Sequence, residues 1–261
     1  KEIIKLLIDN KAKVNEMRRI KLIVAYDGTN YCGWQIQKNA ITVEAVLNKA
    51  ISSLTGEDII VKGASRTDSG VHALGNVAVF DTESRIPPDK FCYSINQRLP
   101  EDIRVQHSEE VEMDFHPRYQ QTVKTYEYKI YNSRINVPTN RLYSQFVYYR
   151  LDLEKMKEAA TYIVGEHDFK SFCSANASAK TTVRTIYSLD IDKVDNMITM
   201  RITGNGFLYN MVRIIAGTLI NVGTGMWESE YVKEIMEKRD RQKAGPKAAA
   251  EGLTLIEIKY I

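Results

Sequence analysis

Apolar side chains in this sequence change period in a fixed order: two, then about 3.6, then two and two again. That order recurs in the second half of the chain. Ile20, Leu22, Val24 and Tyr26 alternate with Lys21, Ile23 and Ala25, the mark of a mostly buried strand over 18–27. Thr42 opens a helical stripe of Val43, Val46, Leu47, Ala50, Ile51 and Leu54, which Gly56 closes. Strands are expected over 59–64 and 76–81, flanking a loop from Ser65 to Gly75. Pro88 starts a short helix carrying Phe91 and Ile95, and 103–111 reads as another strand.

The second half opens with strands at 124–131 and 144–149. A helix over 153–164 follows, capped by Asp152 and ended by Gly165. Strands at 185–194 and 197–204, a long helix over 207–222, a further helix over 228–239 and a strand at 253–260 complete it. Two β-α-β-β-α-β units in tandem predict an α+β fold of two ferredoxin-like halves, each a helix layer on a mostly antiparallel sheet. The halves divide into 17–120 and 121–261. Residues 1–16, ahead of Met17 and the first strand, are expected to lie outside the fold as an extension.

A chain of 261 residues, 44% hydrophobic and 26% charged, has enough apolar side chains for a sizeable core, which excludes disorder. Three separated cysteines without a CxxC pair point to reduced thiols and a cytoplasmic setting. No apolar run reaches the ~18 residues of a membrane span. The net charge of +3 is mild, but its distribution is not. Nine acidic residues oppose four basic ones over 81–114, whereas over 115–150 six basic residues face the single Glu127. Seven tyrosines share that basic stretch. Cations interleaved with flat rings suit a nucleic acid with unstacked bases, and equally suit an ordinary strand with a solvated face. A second basic cluster, Lys238, Arg239, Arg241, Lys243 and Lys247, reads either as a backbone contact or as a loop.

The loop Arg66-Thr67-Asp68-Ser69-Gly70-Val71-His72 gathers an acid, a cation and an imidazole around one glycine between two strands. As a turn it would use Asp68 to accept a backbone N–H and Gly70 at positive φ. As an Asp/His hydrolase it would need a nucleophile, and no GxSxG elbow is present. The four histidines form no HExxH or HxH pair, and no Walker loop or GxGxxG fingerprint occurs, so no metal or nucleotide cofactor is expected. Arg213, between Val212 and Ile214 in an apolar helix, must either snorkel out or find an acid, and Asp68 is the acid proposed for it. Tyr126, in Lys124-Thr125-Tyr126-Glu127-Tyr128, sits beside the charge switch.

These segments carry a resemblance. Tyr26 to Gln35, Arg66 to His72, Leu99 to Ile103, Phe115 to Arg118 and Lys124 to Tyr128 are similar, in that order, to motifs of the tRNA pseudouridine synthase A (TruA) family. So are Gly165 to Phe172, Arg184 to Ile186, Gly204 to Arg213 and Gly252-Leu253. The likeness runs from Met17 onward and departs at Ser65 and Ser69, where the family commonly has glycine and alanine.

The resemblance implies an isomerase that converts uridine to pseudouridine at positions 38, 39 and 40 of the tRNA anticodon stem-loop, without metal or organic cofactor. It implies Asp68 as the catalytic carboxylate, Arg66 as the arginine that helps extrude the nucleotide, and Tyr126 as the ring that packs on the uracil. Arg213 would pair with Asp68 and keep it ionised. Base flipping accounts for such a group, because the glycosidic bond of a stacked nucleotide is out of reach. A homodimer contacting one tRNA through both subunits, and a catalytic cleft between the two halves, are also implied. The alternative is a non-catalytic tRNA-binding protein of the same fold.

Overall fold

The computed structural model describes residues 16–174 and 180–261. The expected extension therefore lies almost wholly outside the described residues. Strand β1 (Arg18–Tyr26) buries the side chains of Ile20, Leu22, Val24 and Tyr26, the alternation the sequence predicts. Helix α1 (Val43–Thr55) begins where the Thr42 hydroxyl accepts the Ala45 N–H and ends at Gly56, in the left-handed region. Strands β2 (Lys62–Gly63), β3 (His72–Thr82) and β4 (Ile103–Val111) complete the first half, with α2 (Phe91–Asn96) between β3 and β4.

The expected strand over 59–64 shrinks to two residues. The Ile59 and Val61 N–H groups donate to the Ser52 hydroxyl and the Asn48 side chain on α1, so that segment hangs from the helix instead of joining a ladder.

The second half contains β5 (Thr122–Asn132), β6 (Gln145–Val147), α3 (Leu153–Thr161), β7 (Gly165–Asp168), β8 (Val183–Val194), β9 (Met197–Gly204), α4 (Met211–Gly223), α5 (Tyr231–Lys238) and β10 (Leu253–Tyr260). Strand β7 is not foreseen, and α3 stops three residues early. Helix α4 begins at Met211 instead of 207, because Asn210 takes a φ of 61° that no right-handed helix passes through.

The ten strands form one sheet in the order β4-β1-β3-β10-β5-β9-β8-β7, with β2 added to β3 and β6 to β5. Pairing is antiparallel except between β3 and β10 and between β5 and β6. The fold is thus α+β with a large, mostly antiparallel sheet, continuous across what the sequence divides into two. The seam is β10: Leu255 pairs with Ala73 of β3 on one side and Tyr126 of β5 on the other. Among the described residues no helix is long and apolar enough to cross a membrane.

Candidate active site

Above that seam lies a cavity of about 820 Å³, walled by the 64–71 loop, β5, the 207–212 segment and the first residue of β10. Asp68 is on the loop. The turn there is closed by backbone, Val71 N–H to the Asp68 carbonyl at 3.1 Å, so the carboxylate is left to face the cavity. Gly70 takes the positive φ the sequence predicts. The loop is clamped from beneath: Tyr26 Oη meets Thr67 Oγ1 at 2.7 Å, Asn76 Nδ2 donates to the Ser65 carbonyl at 3.1 Å, and Trp34 N–H donates to the Thr67 carbonyl at 3.1 Å.

Arg213 meets the carboxylate from α4, Nη1 lying 3.5 Å from Asp68 Oδ2. It does not snorkel: the residue is 8% exposed, and its Nε donates to the Ala248 carbonyl at 2.7 Å. A strap of residues 244–249 supplies that carbonyl. It is bound to α4 by Ala248 N–H to the Arg213 carbonyl and Gly245 N–H to Thr218 Oγ1. Arg213 does pull the Asp68 pKa down, as expected of an adjacent cation, but a second cause that the sequence does not show outweighs it. Burial pushes the carboxyl above the ordinary aspartate range, and Arg213 and Lys247 pull it part of the way back. Lys247, read from the sequence only as one cation in a basic cluster, thus acts on the site; nothing in its local spacing marks it.

Tyr126 forms the wall contributed by β5. Its ring meets Phe207 edge to face at 5.1 Å, and its hydroxyl shares a 2.9 Å hydrogen bond with Ser65 Oγ. Burial pushes that phenol up to about 12, so it stays a neutral hydrogen-bonding group. Arg66 lines the same cavity with an exposed side chain. The structure therefore brings Asp68, Arg66, Tyr126 and Arg213 together. It adds Phe207, Ser65, Arg118 and Lys124, which the sequence reading does not name as site residues. The period of two along β5 is the available signal for Lys124, since it puts 124 and 126 on one face.

His72 is not part of this group. Its Nδ1 accepts the Gly28 N–H at 3.0 Å and lies 3.1 Å from Asp27 Oδ1, while Asp27 Oδ2 accepts the Tyr143 hydroxyl. An Asp68/His72 hydrolase pair is absent from this geometry. The tyrosine-rich stretch divides. Tyr128 is in the core, whereas Tyr119, Tyr143, Tyr148 and Tyr149 are exposed. In the second basic cluster Arg239 pairs with Asp168 and Lys238 with Glu234, so part of it is an ordinary ion-paired surface.

The family described as tRNA pseudouridine synthase matches residues 22–120 and 159–261. Among curated relatives, a protein of Ruminiclostridium cellulolyticum is 52% identical over 245 residues, and one of Acetivibrio thermocellus 51% identical over 244. A third, from Thermoanaerobacter sp., is 49% identical over 244 residues. Each alignment covers 94% of this chain and 100% of the relative, and each relative is named tRNA pseudouridine synthase A. With matches over most of its length and identities near one half, this chain belongs to the tRNA pseudouridine synthase family.

Proposed function

We propose that this protein isomerises uridine to pseudouridine in tRNA, at positions 38, 39 and 40 of the anticodon stem-loop, with Asp68 as the catalytic carboxylate. The observation that carries the reading is the Asp68–Arg213 pair, 3.5 Å apart at the edge of a cavity whose wall includes the Tyr126 ring. The reaction breaks the N-glycosidic bond, turns the uracil and joins C5 to C1′, with one atom inventory throughout. A carboxylate suffices for it, by adding at C6, attacking C1′, or taking a proton from C2′ while an oxocarbenium-like sugar forms. A carboxyl raised by burial is a better base and nucleophile than a solvated one, and Arg213 holds its oxygens in a fixed direction.

A stacked nucleotide cannot present C1′ or C6 to a carboxylate in a recess, so the target is flipped into the cavity. Tyr126 then packs on the uracil, and exposed Arg66 at the wall helps open the stem. Exposed tyrosines and cations of the 115–150 stretch read the surrounding RNA by shape and phosphate. The protein acts as a homodimer in the cytoplasm, with one tRNA spanning both subunits. The two halves are ferredoxin-like units. The strand order β4-β1-β3-β2 in the first and β10-β5-β9-β8 in the second, a repeated pattern, supports that division.

Tritium release from tRNA labelled at uracil C5 tests the reading, because the new bond at C5 expels that hydrogen. Release is expected from tRNAs with uridine at 38 to 40. Asp68→Ala is expected to abolish it while leaving tRNA binding within about tenfold, since one group carries chemistry and many carry phosphate contacts. Salt-sensitive binding without release by the wild type would make this a tRNA-binding protein only.

A further inference from the structure

The charged residues that line the cavity, Arg66, Asp68, Arg118 and Lys124, belong to two separate charge groups. Asp68 answers to Arg213 and Lys247; Lys124 answers to Arg118 and Arg184, and Arg118 in turn to Arg66. Among the described residues none of Arg66, Arg118, Lys124 and Arg184 makes an ion pair with a carboxylate. Every element packed against Lys124 leaves it so. Its ladder partners are Gly204 on β9 and Ile258 on β10, neither charged. On its own strand Tyr126 shares its face, and from the 64–71 loop its Nζ reaches only the Ala64 carbonyl, at 3.4 Å. Arg118 Nε is held by the Gly63 carbonyl at 2.9 Å, and Arg184 Nη1 by the carbonyls of Thr181 and Val183. Glu44 and Tyr119 act on the group through Arg118, and Cys173 acts through Arg184. Backbone carbonyls fix the direction of these cations without neutralising them, and mutually repelling, part-buried cations cost stability unless an anion arrives.

We propose that Lys124, flanked by Arg118 and Arg184, is a phosphate subsite that takes a phosphodiester of the substrate strand next to the nucleotide whose base lies on Tyr126. The proposal rests on the function given above and assigns that site its backbone contact. Two strand steps, with Thr125 between, put Lys124 about 7 Å from Tyr126, a base-to-backbone-phosphate reach. Burial and the two arginines hold the Lys124 ammonium down to about 8, so its charge, unlike that of an arginine, is lost in mildly alkaline solution.

The test uses a tRNA transcript labelled at uracil C5, with tritium release for turnover and filter binding across salt and pH. Lys124→Met, which keeps the apolar stem, is expected to raise KM roughly five- to tenfold with kcat within about twofold, and to lower the slope of log Kd against log salt by about 1. Lys124→Arg is expected to restore the slope. Wild-type binding should weaken between about pH 7 and 9, and both variants should be flat over that range. An unchanged salt slope and KM in a normally melting Lys124→Met protein would overturn the proposal, as would a loss confined to kcat. If Lys124→Met does not fold, Lys124→Arg carries the test, and binding by it that still weakens over the same pH range overturns the proposal. Failure of the underlying function looks different: the wild type itself releases no tritium.

Discussion

Asp68 pays for its position, and the sign of that cost is measurable. Burial raises its pKa in the folded protein, so the folded state binds the proton more tightly than the unfolded chain does. Its favourable contribution is complete below the unfolded pKa and is lost as the pH rises through the folded one. Asp68→Asn, a mimic of the protonated acid, should therefore match the wild type near about pH 3 and exceed it in stability near pH 7. Denaturant melts at the two pH values check this, and an equal difference at both would contradict it. Tyr126 offers a milder case. Tyr126→Phe keeps the edge contact with Phe207 and leaves Ser65 Oγ without its partner, at an expected cost of about 1 kcal/mol in the same melts.

At the scale of elements, the strap over α4 holds the site's cation in place. A Cβ added at Gly217 would overlap the Pro246 carbonyl, a backbone group that cannot rotate away, so the strap must move. Gly217→Ala is expected to cost roughly 2–4 kcal/mol by urea melting. Because Ala248 on that strap holds Arg213, turnover should fall further than tRNA binding does. None of this contact is legible locally, since Gly217 reads only as an interruption in an apolar helix. The same blindness explains the start of β3. Gly75 looks like a loop residue, yet it lies within β3, at a point where the β10 backbone at Ile256 comes too close for a side chain. Periodicity predicts β1, α1 and β9 well because one face of each is buried along its length. It overextended α4 because a single left-handed residue, Asn210, leaves no trace in hydropathy. Charge and burial arguments mark the Arg66–His72 loop and pair Arg213 with Asp68, while the roles of the four site residues come from motif resemblance. Lys124 and Lys247 needed three-dimensional neighbours.

At the scale of the whole molecule, β10 makes the two halves one sheet. Leu255 is fully buried at that seam. The chain has two tryptophans, Trp34 in the first half and Trp227 in the second, so each half carries its own fluorescent reporter. Single-tryptophan variants Trp34→Phe and Trp227→Phe should show transitions with the same slope in urea, each half unfolding cooperatively with the other. Transitions of markedly different slope would mean that the halves unfold independently across the seam. The position of β10 in the chain also has a consequence for biosynthesis. Translation delivers Asp68, Tyr126 and Arg213 well before residues 253–260, yet the strand that joins their supports is made after all three. Until then two stretches of backbone that β10 will pair, His72-Ala73 of β3 and residues 122–128 of β5, lack that partner. A chain truncated before β10 is therefore expected to lack turnover and to aggregate more readily than the whole chain, and light scattering alongside tritium release checks both.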